Sequence, residues 1–309
     1  MRLRRGPSGK YLLVVNPMSR MGKGLGIALW IVARFVVRRI DFDAVVTRKP
    51  GHAERIVAEY EGHIDVVVAI GGDGTIQEVI NGIMKRERKP ALAVVPAGRG
   101  NDFCALVGIG RSKRKALKYM LSDDISEVDL LKFNGRYAGT VVGIGFDALV
   151  QEKSWHYKHW PVIRYLSNAV LLILRGLEPI PMKVRYADGT LDGDYLISVI
   201  GHTRKYARQI RLFPDLRIDG GIMKLAVARP AGRLLTLILL FSAGMGFADA
   251  CPQVTMVESH WFEIEVGRTA KAQSDGDLFS LDKDETLRVE LVRRALKVKT
   301  PLGSSVGNV

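Results

Sequence analysis

The sequence predicts an α/β N-terminal domain built on a parallel sheet, followed by a mainly antiparallel β-sandwich domain. The chain has 309 residues, more than one hydrophobic core usually organises. Strand-like and helix-like patterns alternate up to about residue 125, and strand-like runs dominate after Ser122-Asp123-Asp124. We therefore expect domains over residues 1–125 and 126–309, and the final residues could return to the first domain.

The strands of the first domain are predicted from short apolar runs rich in β-branched residues. Runs that are apolar throughout are typical of a parallel sheet covered by helices on both faces. Helices are predicted where apolar residues recur at helical spacing. The predicted strands are 11–15, 42–47, 65–70 and 91–95, and the predicted helices are 25–39, 52–60, 75–84 and 112–121.

The second domain is predicted from strand-like runs separated by turn signals such as Ala187-Asp188-Gly189. Helices are expected near 161–177 and 231–247. The uncharged apolar stretch from Leu234 to Ala248 is shorter than the roughly 20 residues of a spanning helix, so we expect a buried or interfacial helix. The predicted strands are 127–133, 137–144, 182–187, 195–201, 223–229, 262–266 and 287–292.

The cysteine count and the net charge limit the classes of function that the chain can have. Two distant cysteines, Cys104 and Cys251, argue against a disulfide framework or a zinc site and favour the reducing cytoplasm. The formal net charge of +14 favours an anionic partner, and the sequence carries no recognised nucleic-acid-binding pattern. We expect no nucleic acid but a peripheral contact with an anionic membrane, through the basic clusters Arg111 to Lys118 or Arg204 to Arg211. A homodimer is compatible with the sequence.

The most informative feature is a glycine loop between a strand and a helix. The apolar run that ends at Ile70 passes into Gly71-Gly72-Asp73-Gly74-Thr75, and helical spacing follows. Such a turn presents backbone N–H groups and a positive helix end, which suit a phosphate. Asp73 could face a nucleotide hydroxyl or a phosphate-bound Mg²⁺. An ordinary tight turn is the alternative interpretation.

Two further polar loops follow neighbouring predicted strands. Asn16-Pro17-Met18-Ser19 follows the first strand, and Gly98-Arg99-Gly100-Asn101-Asp102 follows the fourth. Thr47 ends the second strand. Since the carboxyl ends of parallel strands meet at one edge of a sheet, these loops predict a nucleotide site there. Neither a P-loop nor the dinucleotide Gly-x-Gly-x-x-Gly fingerprint occurs in this region.

In combination these motifs resemble the catalytic domain of diacylglycerol kinases, in order and spacing. The resemblance covers nearly the whole chain and identifies it as a member of the soluble bacterial lipid kinases of the diacylglycerol and sphingosine kinase superfamily. It implies an N-terminal domain like that of NAD kinases and phosphofructokinases. The matching segments are Asn16 to Ser19, Gly51 to Ala53, Gly71 to Thr75, Glu78 to Gly82, Pro96 to Phe103, Gly143 to Ala148, Phe213 to Asp215, Asp219-Gly220 and Asp275 to Asp277.

The resemblance implies ATP and Mg²⁺ as cosubstrate and cofactor, and a lipid hydroxyl as acceptor between the two domains. Asp275 and Asp277 match the family's Asp-Gly-Glu catalytic element, and the second carboxylate is one methylene shorter here. Asp215 and Asp219 fall near a region that holds a structural Mg²⁺ in some relatives. Arg99 stands where threonine is commonest. The positions that the resemblance assigns to nucleotide contact are Asn16, Ser19, Thr47, Gly71, Gly72, Asp73, Gly74, Thr75, Gln77 and Arg99.

Several alternatives remain at this stage. Diacylglycerol is the acceptor that we expect first, and a sphingosine-type base or another lipid alcohol is the alternative. An NAD kinase-like enzyme shares the Gly-Gly-Asp-Gly element, and a non-catalytic nucleotide or lipid sensor could use the same fold. His156 and His159 have ligand spacing, but an amphipathic surface explains them better. The nearby aromatic residues Trp155, Tyr157, Trp160 and Tyr165 suit either a core or a membrane interface.

Overall fold

The computed structural model describes residues 9–19, 22–154, 161–205 and 210–304. The chain divides into two compact units. The first combines the chain up to Asp129 with the part from Arg293 onward, and the second comprises Leu130–Val292.

The first unit contains a parallel sheet in the order β2-β1-β3-β4, with the end of β16 parallel to β4. Every residue of β3 and β4 is buried, which explains why both read as uninterrupted apolar runs. The strands are β1 Lys10–Val15, β2 Asp41–Val46, β3 Val66–Gly71 and β4 Ala91–Pro96; the helices are α1 Lys23–Arg38, α2 His52–Glu59, α3 Asp73–Met84, α4 Asp102–Leu106 and α5 Lys113–Met120.

The second unit contains antiparallel strands in two sheets. One set runs β16-β13-β8-β9, and the other runs β12-β11-β10-β7-β14-β15. The elements are β5 Ile125–Phe133, β6 Arg136–Ala138, β7 Val141–Gly145, α6 Phe146–Ser154, α7 Pro161–Arg175, β8 Ile180–Tyr186, β9 Gly189–Tyr195, β10 Ile197–Gly201, β11 Met223–Ala228, α8 Arg233–Met245, β12 Val254–Ser259, β13 Trp261–Val266, β14 Ala270–Ser274, β15 Asp277–Leu281 and β16 Thr286–Lys299.

One apolar core joins the two sheets of the second unit. Phe262 and Ile264 of β13 belong to the same buried cluster as Leu225 and Val227 of β11. Burying the inward side chains of both sheets is how a sandwich excludes water. None of the helices within the described residues is long and apolar enough to cross a membrane.

The predicted fold class is confirmed, with differences in detail. The predicted strand 137–144 is two strands, because the backbone turns aside at Gly139 and Thr140, whose N–H groups donate to the Asp275 carboxylate. Helix α6 was not predicted, and neither were β9, β12, β14 and β15. Strand β9, Gly-Thr-Leu-Asp-Gly-Asp-Tyr, has little apolar alternation and forms through its pairing with β8.

Candidate active site

Four loops of the first unit lie side by side at the carboxyl edge of the parallel sheet. Backbone hydrogen bonds continue past the strand ends: Asn16 N–H donates to Ile70 (2.9 Å), Thr47 N–H to Val15 (2.8 Å) and Ala97 N–H to Gly71 (3.0 Å). The structure therefore brings together the predicted loops after β1, β2, β3 and β4. Their role in nucleotide binding stays a prediction.

The loop after β1 is fastened to the first turn of α3. Asn16 Nδ2 donates to Thr75 Oγ1 at 2.9 Å, and Asn16 Oδ1 accepts the N–H of Met18 at 3.0 Å. Ser19 Oγ donates to the Asn16 carbonyl at 2.9 Å. Three of the predicted nucleotide residues, Asn16, Ser19 and Thr75, thus form one hydrogen-bonded group.

Asp73 joins the loop after β3 to the loop after β4. Its Oδ2 accepts the N–H of Asn101 at 2.8 Å, and its Oδ1 accepts those of Asp102 (2.7 Å) and Phe103 (3.4 Å). The carboxylate therefore caps the N-terminus of α4. Burial raises the pKa of the Asp73 carboxyl, and the N–H donors counter part of that rise.

Asn101 closes the Gly98 loop from within. Its backbone is left-handed, with φ of 59°, a conformation that asparagine tolerates. Its side chain accepts the Gly98 N–H at 2.8 Å and donates to the Gly98 carbonyl at 3.0 Å. These two hydrogen bonds between the Asn101 side chain and the Gly98 backbone fix the conformation of the loop. Helix α4 begins at the next residue, Asp102.

The two glycine loops touch backbone to backbone. A Cβ on Gly98 would lie 2.3 Å from Gly72 Cα, and one on Gly72 would lie 3.1 Å from Gly98 Cα. Gly72 has φ of −96° and ψ of −173°, an ordinary extended conformation. The backbone conformation at Gly72 therefore does not require glycine, and the close approach of Gly98 is the reason that the structure supports.

The other predicted nucleotide residues have mixed exposure. Thr47 and Gln77 are buried, whereas the side chain of Arg99 is exposed. Arg111, from one of the predicted basic clusters, donates to the Arg99 carbonyl at 3.2 Å. Gly71 and Gly74 flank Asp73 at the start of α3. The residue that precedes α3 is Gly72, which has no side chain that could cap the helix start.

Glu78 has a role that the sequence did not reveal. Its two carboxylate oxygens accept the N–H groups of Gly51 (2.8 Å) and Ala53 (2.9 Å), at the start of α2. With Asp73, helix α3 thus supplies acids that hold the starts of two other helices. The only available signal was the place of Glu78 in the family-like segment Glu78 to Gly82.

The Asp-Gly-Asp element of the second unit is a tight hairpin. Ser274 of β14 pairs with Asp277 of β15, so Asp275 and Gly276 form a two-residue loop. Both have positive φ, 47° and 96°, as a type I′ turn requires. This tight turn places both aspartates in an ordered hairpin.

The Asp275 carboxylate fixes the preceding end of β7. It accepts the N–H groups of Gly139 (2.5 Å), Thr140 (3.0 Å) and Val141 (3.0 Å), and the Thr140 hydroxyl also donates to it. The Asp277 side chain is about one-third exposed, and the Arg136 guanidinium lies 3.9 Å from its carboxylate. The two aspartates therefore differ: one is held by donors, and the other faces outward.

A buried polar chain supports the same hairpin, and the sequence gave it no role. Gln273 Nε2 donates to Asp147 at 2.5 Å, and Gln273 Oε1 accepts the Gly276 N–H at 2.8 Å. A Cβ on Gly143 would lie 2.6 Å from Asp147 Oδ2, which explains the glycine there. The segment Gly143 to Ala148, recognised only as a matching motif, thus positions the acidic turn.

The residues near the implied structural magnesium do not fit that ion. Asp219 is bonded by Arg217 at 3.0 and 3.1 Å, and Asp215 is bonded by the Lys224 ammonium, which also lies 2.8 Å from Glu258. The hydrogen bond from Arg217 lowers the pKa of Asp219. Burial opposes ionisation of Asp215, but the hydrogen bond and the charge of Lys224, together with a backbone hydrogen bond, outweigh burial and lower the pKa of that carboxyl.

Metal clusters are also missing elsewhere in the described ranges, where no group of three or more His, Cys, Asp and Glu side chains could hold an ion. The candidate residues His156 and His159 lie outside the described residues, as do Trp155, Tyr157, Trp160 and part of the basic cluster from Arg204 to Arg211. The assignment of Asp73 to Mg²⁺ stays a prediction, whereas Asp215 and Asp219 are already paired with cations of the protein. No chemical step below depends on the ion.

A substitution of Lys224 tests whether its ammonium group, and not a bound Mg²⁺, neutralises Asp215 and Glu258. We expect Lys224→Met to lower the melting temperature by a few degrees, on the order of 1 kcal/mol, because two half-exposed carboxylates lose their shared ammonium. The unaltered protein should melt equally in chelator and in Mg²⁺. Arg217→Met, which removes one exposed pair, should change the melting temperature less. A melting temperature of the unaltered protein that falls in chelator would show a metal here.

Comparisons with known proteins agree with the fold. Residues 10–133 match the family model described as the diacylglycerol kinase catalytic domain. A diacylglycerol kinase of Staphylococcus saprophyticus is 28% identical over 206 residues, 63% of this chain and 66% of that protein. A probable lipid kinase YegS-like of Klebsiella pneumoniae is 28% identical over 267 residues, 85% of this chain and 87% of that protein. The solved structure of a putative diacylglycerol kinase from Bacillus anthracis has a TM-score of 0.80 and 22% identity, covering 95% of this chain and 98% of that one.

Proposed function

Because residues 10–133 of this chain belong to the diacylglycerol kinase catalytic-domain family, we propose that it transfers the γ-phosphate of ATP to a hydroxyl of a membrane lipid, diacylglycerol first. One observation carries the proposal. Within that matched domain, Gly72, the residue that precedes α3, carries no side chain and lies against the Gly98 loop. A helix start of this kind is a ready site for phosphate.

The loops explain how phosphates could approach the backbone. Gly71, Gly72 and Gly74 carry no side chain, and the hydrogen bonds of Asp73 and Asn101 hold the neighbouring loop in place. Phosphoryl transfer depends mainly on positioning and on charge stabilisation, so donors fixed before the nucleotide binds are an advantage. Bound with the nucleotide, Mg²⁺ would supply neutralisation of phosphate charge.

We assign the role of proton acceptor to Asp277 and a positioning role to Asp275. A lipid alcohol needs a carboxylate at its hydroxyl as the oxygen attacks the γ-phosphorus and ADP leaves. The oxygens of Asp275 accept hydrogen bonds from four donors, whereas the side chain of Asp277, the first residue after the turn, is partly exposed. The proton would pass to Asp277 Oδ, and the new P–O bond would form as the bond to ADP breaks.

The names of the relatives support a lipid acceptor over the alternatives. The Staphylococcus protein is named a diacylglycerol kinase, and the Klebsiella protein a probable lipid kinase. A sphingosine-type or other lipid alcohol is the next candidate, followed by an NAD kinase-like activity and by nucleotide or lipid binding without catalysis. Peripheral attachment to an anionic membrane belongs to the same proposal, supported by the net charge of +14.

The test is a phosphorylation screen on a total lipid extract. The protein is incubated with γ-labelled ATP and the extract, and the organic phase is examined for label and by mass spectrometry. We expect labelled phosphatidic acid. A different labelled lipid would change the acceptor, and labelled NAD in a parallel incubation with NAD in place of the extract would favour the NAD kinase alternative. ATP binding with no labelled product would favour a non-catalytic sensor.

Arg99 gives a prediction on the nucleotide loop. We expect Arg99→Thr to keep activity within about threefold of the unaltered protein, since threonine is commonest at this position in the family and the Arg99 side chain is exposed. The KM for ATP is the quantity to measure. A rise of more than about tenfold in this KM would show that the guanidinium binds phosphate, as its two parallel N–H donors allow.

A further inference from the structure

Helix α8 of the second unit has an apolar outer face. Leu234, Ile238, Phe241 and Met245 follow the spacing i, i+4, i+7 and i+11, and they are 71%, 48%, 75% and 64% exposed. A surface helix usually carries polar residues on this side. With Leu235 and Phe247, also exposed, these side chains form what we call the α8 face.

The opposite side of α8 is well anchored, so the exposed face does not come from a loosely packed helix. Thr236 is buried, and its hydroxyl donates to the carbonyls of Ala231 and Gly232. Leu240 packs on a buried cluster that contains Leu172 of α7. Ala243 packs on a second cluster. The helix is thus apolar on both sides, and only one side meets protein among the described residues.

The charges at this surface indicate what covers it. Neither 161–177 nor 230–248 contains an aspartate or a glutamate. Arg233 is exposed at the start of α8, and exposed Arg211 lies against its end, where a Cβ on Gly246 would be 3.4 Å from Arg211 Cβ. Arginines at both ends of an apolar helix suit the anionic headgroups of a bilayer.

The length of α8 decides how it could meet a bilayer. Thirteen residues span about 20 Å at 1.5 Å per residue, less than the roughly 30 Å of a hydrocarbon core. The helix can therefore lie in the interface but cannot cross it. An interfacial position also matches the sequence-based expectation for residues 234–248.

We propose that the α8 face docks on an anionic bilayer, with its apolar side chains in the boundary between headgroups and acyl chains and with Arg211 and Arg233 on headgroups. The inference rests on the proposed function, because an enzyme that phosphorylates a membrane lipid has to reach the bilayer. It goes beyond the basic clusters alone, since it gives the contact an apolar part on a named helix.

Cosedimentation of the full chain with vesicles of mixed phosphatidylglycerol and phosphatidylcholine tests the inference. We expect Ile238→Ser/Phe241→Ser to lower the partition coefficient by at least about tenfold, because two large side chains leave the lipid. Val37→Ser is the matched control, since Val37 is a 68% exposed apolar residue on α1. It should bind as the unaltered protein does, and salt should weaken the binding of all three.

Turnover separates this inference from the proposed function. On a short-chain diacylglycerol that dissolves in water, the double variant should match the unaltered protein, whereas on vesicle-embedded diacylglycerol it should lose activity. If no lipid is phosphorylated but the vesicle result holds, the proposed function fails and the docking surface stands. Equal vesicle binding by the double variant would overturn the inference, and so would an equal loss in Val37→Ser. A dimer that becomes monomeric in the double variant would instead assign the α8 face to a second copy.

Discussion

Asp277→Asn is expected to lower kcat by at least about a hundredfold while ATP affinity and melting temperature stay unchanged. The amide cannot accept the proton of the lipid hydroxyl, and general-base catalysis contributes at least this factor. The side chain is partly exposed and its ion pair with Arg136 is long, at 3.9 Å, so removing its charge should cost little stability. Steady-state kinetics, ATP titration and a thermal melt of the same preparation measure the three quantities.

The neighbouring Asp275→Asn should differ from it in stability. Here the amide would turn a donor toward backbone N–H groups of residues 139–141, so we expect both kcat and the melting temperature to fall. Asp192→Asn, an exposed aspartate on β9, is the control and should change neither. Near-normal turnover by Asp277→Asn would show that the proton acceptor is another group.

Gly98→Ala is expected to abolish measurable ATP binding and to destabilise the first unit by about 1–3 kcal/mol. The new Cβ would lie 2.3 Å from Gly72 Cα, whereas carbon atoms normally approach to roughly 3.5–4.0 Å. Since the obstacle is backbone, the two loops have to separate, and the hydrogen bonds between Asn101 and Gly98 are strained with them. Gly72→Val acts on the same contact from the other side.

The matched control for this substitution is Gly26→Ala in α1. No heavy atom lies within 4 Å of a Cβ built there, and alanine favours a helix interior over glycine by up to about 1 kcal/mol. ATP titration and thermal melting should therefore find this variant equal to or more stable than the unaltered protein. If Gly98→Ala binds ATP and melts normally, the close contact of the two loops does not matter for the nucleotide.

Local pattern in the sequence was sufficient for the first unit. Strands β1 to β4 are predicted within one residue at each end, because each contains two or more adjacent valines and β3 and β4 are buried throughout. The order of loops along a parallel sheet then places Asn16, Thr47, Asp73 and Gly98 at one edge. That step needs only the rule that parallel strands end on the same side.

The tertiary structure decided what those side chains touch. Asp73 binds N–H groups about 30 residues away, and Asp275 binds groups about 135 residues away, so no local pattern could distinguish a positioning aspartate from Asp277. The β14–β15 hairpin was not predicted because much of β15 is partly exposed and its order comes from pairing with β14. Hydrophobic periodicity is a property of consecutive residues, whereas the hydrogen-bond partner of a buried polar group depends on packing between distant segments. The sequence therefore determined the strands of the first unit and the edge at which their loops lie. Only the folded chain determined which aspartate holds neighbouring backbone, which aspartate is partly exposed, and which apolar helix face is left for a partner.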